Sequence, residues 1–277
     1  MTDLIINLAP TGMIPTQAMN PAVPVTPEEI IADCCRCADL GAAILHVHAR
    51  DEDGRPTHSR EVYGRIIGGI RDRHPDVIIC ASLSGRDVQE LEKRADPLFL
   101  EGDLKPDMGS LTLSSLNFTA TASVNAPDII KGLAGIMKDR GIRPELEAFD
   151  TGMLNYAGYL IDKGILDPGG YVNLLLGNIA SAQLEPAHFA ALKSALPHGA
   201  LWAVGGLGRS QLRANMLGIL YADGVRIGLE DDLWLDDART RPASNPAMVE
   251  RIVEQAELFG RKPADPVQVR EQLGLER

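Results

Sequence analysis

Aromatic residues contribute only 4% of the 277 residues, so the core must be assembled from Ala, Val, Ile and Leu, which a hydrophobic content of 45% supplies. Cysteine is scarce as well, with Cys34, Cys35, Cys37 and Cys80 making up the whole set. "CCRC" lacks the two-residue gap of a zinc knuckle and falls in a helical pattern, which points to buried core thiols. No run of eighteen apolar residues occurs, and "MTDLIINLAPTG" has neither the basic start nor the long apolar stretch of a signal peptide. The expectation is a cytoplasmic chain with no membrane partner. Basic residues are outnumbered: a net charge of -11 argues against nucleic acid as the main partner, while leaving room for a local site that takes a small anion. A G-x-G-x-x-G fingerprint is also missing after the first strand-like run, "NLAPTG", which argues against an open, doubly wound sheet.

What is present is alternation. Short runs rich in Val, Ile and Leu, at 4–9, 43–48, 77–82, 107–113, 145–149, 172–177, 202–206 and 224–230, are separated by amphipathic stretches. Eight strand–helix units predict an α/β fold, a single (β/α)8 TIM barrel, whose usual length is about 250 residues. No linker, repeat or low-complexity segment splits the chain, so 1–277 reads as one domain, with 261–277 as a C-terminal arm that covers the barrel or packs on a neighbouring subunit. Thr26-Pro27-Glu28-Glu29 is a capping box with proline at the first helical position. Asn125 and Ser210 are expected to open two later helices, and Pro246 a third. The inner face of the helix after Ser210 would be Leu212, Met216, Leu217 and Leu220; that of the helix after Pro246 would be Met248, Ile252, Ala256 and Phe259.

The run "ILHVHARDEDG" places His46 and His48 two residues apart at the carboxyl end of the second strand. Side chains at that spacing share a face, and barrel enzymes keep their chemistry at this end. Two imidazoles on one rigid element suit a divalent metal, and Glu230, ending strand eight in "RIGLEDD", is the better third ligand. The competing structural reading is a pair of hydrogen-bonded core histidines. The same donor set also suits an iron oxygenase. Calcium is disfavoured, because Val62 occupies the twelfth position of the "DEDG" loop. An amidohydrolase is disfavoured, because "ELEAF" and "VNLLLG" contain no histidine. His58, His74, His188 and His198 fall away from strand ends.

Other polar residues collect at strand ends: Ser82, Ser110, Glu147, and the bracketing pair Arg226 and Asp231. A carboxylate held by an arginine can serve as a positioned base, although the pair reads equally as a structural salt bridge. "GGLGRSQLR" follows strand seven. Gly206, Gly208 and Arg209 there could receive an anion at a helix N-terminus, or the glycines could simply serve a tight turn.

Taken together, "PTG", "PVTPEE", "LHVHARDEDGRPT", "LKPDMGSLTLSSLNF", "PELEAFDTGM", "WAVGGLGR" and "VRIGLEDD" resemble the β-keto acid cleavage enzymes, the family of 3-keto-5-aminohexanoate cleavage enzyme, along nearly the whole chain. The resemblance implies a zinc-dependent (β/α)8 barrel, usually a homotetramer, that converts a β-keto acid and acetyl-CoA to acetoacetate and a new acyl-CoA. It implies His46, His48 and Glu230 as Zn2+ ligands and Ser82, Glu147, Arg226 and Asp231 as the catalytic and substrate-contacting set. Ser110 stands where the family often has threonine. Asp231 held by Arg226 would be the base, Glu147 with Ser82 a second relay, and the 205–209 turn a seat for CoA phosphates.

One departure bears on substrate. The amino-substrate member carries a glutamate for the ammonium group where this chain has Ile14, and an apolar side chain cannot offset a buried charge. Met13, Ile14 and Met19 suggest a neutral or apolar substituent, and Arg86 keeps an anionic one open. The expectation is an acyltransferase that does not prefer the 5-amino substrate. The rival readings are a zinc-dependent lyase or hydrolase that uses water instead of CoA, and a non-catalytic metal-binding barrel.

Overall fold

The computed structural model describes residues 2–275. Eight parallel strands, β1 (Ile5–Leu8), β2 (Ile44–Val47), β3 (Ile78–Ala81), β4 (Met108–Thr112), β5 (Arg143–Ala148), β6 (Tyr171–Leu176), β7 (Leu201–Gly206) and β8 (Gly224–Ile227), close in sequence order into a barrel, with β1 pairing both β2 and β8. The alternation of the sequence is thus the alternation of the fold. Around the barrel lie α1 (Pro27–Asp39), α2 (Arg60–Arg71), the one-turn α3 (Leu91–Arg94), α4 (Pro127–Asp139), α5 (Thr151–Asp162), α6 (Pro186–Ala195), α7 (Ser210–Tyr221) and α8 (Asn245–Glu257). No described helix is long and apolar enough to cross a membrane.

The capping box forms as expected. Thr26 accepts from the Glu29 amide, and the Glu29 carboxylate accepts from the Thr26 amide. All four cysteines are buried free thiols. The expected arm folds as α9 (Pro266–Leu273) and covers the amino end of the barrel. Ala264, Val269 and Leu273 pack against the inward-facing Ile5, Ile44, Ile78, Met108 and Tyr171. Arg270 fastens it, donating to the Asp76 carbonyl at 2.8 Å and the Asp107 carboxylate at 2.6 Å. The arm's last two residues, Glu276 and Arg277, lie outside the described residues.

Three local expectations fail, each for a physical reason. Helix α7 buries Gln211, Ala214, Asn215, Gly218 and Ile219, while Leu220 is exposed. Gly218 lets the helix close on β8, since a Cβ there would sit 2.7 Å from Val225. Gln211 and Asn215 are turned inward because they satisfy backbone groups at the end of β8: Asn215 donates to the Arg226 carbonyl, and Gln211 accepts from the Gly228 amide. Hydrophobicity therefore misplaces this face. Neither Ser210 nor Asn125 caps its helix; Arg209 and Ala126 hold those positions with no side-chain bond. Phe259 lies beyond the end of α8 and is exposed.

Candidate active site

Inside the barrel, polarity rises along the axis. Above the apolar floor sits a polar layer centred on Glu145, which is fully buried. Asn7 and Asn173 donate to its Oε1 at 2.5 and 2.9 Å, and His46 Nδ1 lies 2.5 Å from its Oε2. Burial alone would raise the Glu145 carboxyl, but the His46 imidazole and Arg226 outweigh it and hold the group near 2. A carboxylate at Nδ1 fixes the imidazole's tautomer and turns Nε2 toward the mouth, an arrangement typical of a histidine that ligates metal.

His46 Nε2 then lies 3.9 Å from Glu230 Oε2, and His48 Nε2 lies 3.3 Å from Glu230 Oε1. Two close backbone approaches place Glu230. A Cβ on Gly228 would meet the Ala9 carbonyl at 2.1 Å, and one on Gly12 would meet the Glu230 side chain at 2.6 Å; both glycines have positive φ. Ligand atoms of His46, His48 and Glu230 all fall within 4.8 Å of one another. Glu230 Oε2 is buried with no hydrogen-bond partner, so this donor set leaves one anionic oxygen for a cation to satisfy. The group His46, Cys80 and Glu145 is equally compact, yet both Glu145 oxygens already accept hydrogen bonds. The first set fits a divalent metal and the second does not.

Arg226, essentially inaccessible to solvent, binds three carboxylates: Nε to Asp231 at 3.0 Å, Nη1 to Glu147 at 2.9 Å and Nη2 to Glu230 at 2.9 Å. Burial works against its charge, but these neighbours keep the guanidinium protonated. Burial, helped by Glu230 and opposed by Arg226, lifts Asp231 to about 6. Arg226 and Asp231 are therefore both a salt bridge and the flank of the metal-capable set. His48 is pushed down by burial, and neighbouring His58, buried as well, falls to about 4.

His46, His48, Glu147, Arg226, Glu230 and Asp231 line a cavity of about 290 Å³. Ser82, Ser110, Met13, Ile14 and Arg86 complete its wall, so residues singled out from six separate stretches of sequence converge on one space. Met19 is exposed and does not line it. Ser110 Oγ accepts from the Leu83 amide at 2.9 Å and so shapes the loop after β3. Glu147 is not partnered by Ser82: its Oε2 accepts from Thr112 Oγ1 at 2.6 Å, making Thr112 the group that the sequence reading missed. Its position, two residues beyond Ser110 on the same strand face, was the available signal. Arg86 stacks over Phe118, 3.8 Å from the ring centroid. Phe118 belongs to a hairpin, Leu116–Asn117 pairing Ala122–Ser123, for which the sequence has no alternating pattern.

Of the turn after β7, only Leu207 reaches the cavity. The Gly208 amide donates to the Asp231 carbonyl at 2.7 Å and is not free for a phosphate. Gly206 is needed for packing, since a Cβ there would meet the Ser210 backbone at 2.6 Å. Arg209 remains exposed at the start of α7.

A TIM barrel with three donors able to hold a metal, a buried arginine–carboxylate cluster and a cavity at its carboxyl end has the build of a barrel enzyme. Within that class the chain belongs to the beta-keto acid cleavage enzyme family, whose pattern it matches over residues 3–275. It is therefore an enzyme of the β-keto acid cleaving, transferase kind. It is 35% identical to 3-keto-5-aminohexanoate cleavage enzyme of Fusobacterium nucleatum, with all of both chains aligned. It is 34% identical to 3-oxoadipate:acetyl-CoA acetyltransferase of Cupriavidus necator over 98% of this chain and 94% of that one. Among solved structures, the binary complex of ObcA with oxaloacetate superposes with a TM-score of 0.80 at 22% identity, covering 93% of this chain and 68% of that one, and so shares the fold.

Proposed function

We propose that this chain is a zinc-dependent enzyme that exchanges acyl groups between a β-keto acid and acetyl-CoA, releasing acetoacetate and a new acyl-CoA. The observation that carries the reading is the unpartnered Glu230 Oε2 beside two imidazoles, set against the Arg226-bound carboxylates. A zinc ion held by His46, His48 and Glu230 would supply Lewis-acid polarisation of the keto oxygen. Every other step is assigned to the chain's own groups. Asp231, oriented by Arg226, accepts the proton from the carbon between the keto and carboxyl groups. That carbon bonds to the acetyl carbonyl as CoA thiolate leaves. The thiolate then adds to the original keto carbon, the bond from that carbon to the deprotonated one breaks to leave the new acyl-CoA, and the carbanion takes back the proton from Asp231 to leave as acetoacetate. Glu147, hydrogen-bonded by Thr112 and Arg226, is the second relay for the proton, with Ser82 and Ser110 shaping the pocket around it.

Arg86 is the cation that meets a substrate anion, because the donors of Arg226 are engaged by protein carboxylates. Ile14 at the cavity wall disfavours an ammonium substituent, so the 5-amino substrate is not preferred. Phosphates of the acyl donor would meet Arg209 rather than the glycine amides of the 205–209 turn. A homotetramer, checked by sedimentation velocity, completes the assignment.

The test is a panel of β-keto acids with acetyl-CoA, with acyl-CoA products followed by mass spectrometry. Turnover that requires acetyl-CoA supports the reading. Cleavage that persists without it would establish the water-dependent lyase or hydrolase instead, and a protein that holds metal but turns over no β-keto acid would be a binding barrel.

A further inference from the structure

Arg94 is a buried cation whose hydrogen-bond acceptors carry no charge. It is 1% exposed, and all three are neutral: Nε donates to the Leu83 carbonyl at 2.8 Å, Nη1 to the Val124 carbonyl at 3.2 Å, and Nη2 to Asn125 Oδ1 at 2.8 Å. Burial drags its pKa down to about 10, which leaves it charged at neutral pH. The buried Arg226 and Arg270, by contrast, bind carboxylates. An unpaired buried charge is costly, and a methionine or leucine could fill comparable space. The three acceptors explain the charge only when their positions are considered.

Leu83 belongs to the loop after β3, which carries Ser82 before it and Arg86 after it. Val124 and Asn125 form the base of the hairpin that carries Phe118. Asn125 also ties both ends of that hairpin, taking the Ser115 hydroxyl as acceptor at its amide and donating from Nδ2 to the Ser114 carbonyl and Ser123 Oγ. The two segments touch directly as well, the Val124 amide donating to the Gly85 carbonyl at 3.1 Å. Gly85 is wedged between them, with space for no side chain: a Cβ would lie 2.3 Å from the Val124 carbonyl and 2.6 Å from Arg94 Nη1. The guanidinium is thus a planar three-way clamp joining the segment that supplies Arg86 to the segment that supplies Phe118, the two halves of the stack on the cavity wall. Arg94 itself does not line the cavity.

We infer that Arg94 is a positioning residue for keto acid recognition: it acts from behind the cavity through Arg86 and Phe118, and leaves the metal-capable centre untouched. The activity arm of its test rests on the function proposed above; the exchange arm does not. Arg94→Lys keeps the charge but cannot reach three acceptors in one plane, and Arg94→Met keeps the length without charge or donors. Both should raise KM for the keto acid by about tenfold or more while kcat and KM for acetyl-CoA stay within about threefold, with Lys the milder. Metal content after dialysis should equal that of the wild type. Independently of any turnover, amide hydrogen exchange should quicken in 83–86 and 114–125 and nowhere else.

A parallel fall in kcat and in both KM terms, or exchange quickened across the whole barrel, would reduce Arg94 to a general core residue and overturn the inference. An unchanged KM with unchanged exchange would do the same. If Arg94→Met fails to fold, Arg94→Lys carries both measurements. If wild-type protein turns over no β-keto acid, the proposed function fails, while the exchange pattern still decides whether Arg94 clamps the two segments.

Discussion

The two ends of the barrel are built on opposite principles. At the amino end, side chains from six strands and from the C-terminal arm form an apolar floor, and its charged device, Arg270 with Asp107, fastens the arm from the side. At the carboxyl end, His46, His48, Glu147, Arg226, Glu230 and Asp231 crowd one space, and Glu230 retains an unsatisfied oxygen. Strand period two allows this: the same strands that contribute Ile44 and Ile78 to the floor contribute His46 and Cys80 one step up. The lesson is a division of labour. Stability is concentrated where the chain closes on itself, and electrostatic tension is concentrated where a ligand can relieve it.

The sharpest way to break this comparison is at the active end. His46→Ala should remove metal binding and abolish turnover, measured by metal analysis and by acyl-CoA formation, while thermal unfolding stays cooperative. An active, metal-free variant would show that the donor set has another purpose. Next, Asp231→Asn keeps the shape and removes the proposed base; a fall of about a thousandfold in kcat, on the scale of about 4 kcal/mol, is expected with KM little changed. A fall of less than tenfold would move the base role to Glu147.

The opposite perturbation belongs at the floor. Arg270→Met strips Asp107 of one partner while Arg71 remains as the other, at 3.0 Å. Breaking a buried pair costs about 3 kcal/mol, so Tm should fall by several degrees, read by calorimetry, with kcat and KM of the remaining folded enzyme unchanged. Altered kinetics would mean that the two ends communicate.

Legibility followed the same division. His46 and His48 could be placed because strand periodicity dictates a shared face, and Glu230 and Asp231 because they follow an apolar run, although the strand expected over 224–230 stops at Ile227 and both carboxylates lie in the turn beyond it. The floor was legible as eight short apolar runs, and the arm as either its cover or a contact for a neighbouring subunit; the packing of Ala264, Val269 and Leu273 decides for the cover. What escaped were residues whose neighbours come from distant segments. Thr112 partners Glu147 across a β4–β5 register visible only once the sheet is closed. Arg94 lies in the charged stretch "LEKR", for which the sequence offered no role, and its acceptors lie 11 to 31 residues away. Helix α7 misled because Gln211 and Asn215 are buried for the backbone groups they satisfy, which no hydrophobicity count registers.

Asp33 measures what the active end costs the fold. On α1, it accepts from Asn245 Nδ2 at 2.6 Å; that asparagine also donates to the Pro10 carbonyl and accepts from the Leu229 amide, tying together the loops after β1 and β8. Burial raises Asp33 to about 6, against the Asn245 hydrogen bond that lowers it. The folded state then binds its proton more tightly than the unfolded chain does. The stability contribution is full below the unfolded carboxylate range and is lost as pH climbs toward 6. Asp33→Asn keeps an acceptor for Asn245 and removes the titration. Above pH 7 it should stabilise by about 2 kcal/mol, allowing for the residue's partial exposure, and the gain should shrink at pH 4, read by urea unfolding at both pH values. A gain independent of pH would locate the cost elsewhere.

The smallest expected effect concerns the rim rather than either end. Ile14 lines the cavity yet is 49% exposed, so a ligand in the cavity would meet it at a wall that also faces solvent. A carboxylate introduced there would face partial solvation, which limits its attraction for an ammonium to at most about 1 kcal/mol. Ile14→Glu should therefore raise kcat/KM for 3-keto-5-aminohexanoate by about fivefold and lower it for an uncharged substrate of equal length by a smaller factor. Arg86, stacked on Phe118, sets the competing outcome: if the introduced carboxylate turned to its guanidinium, activity on every β-keto acid would fall together. The ratio between the two substrates, more than either rate alone, decides whether position 14 reads the substituent.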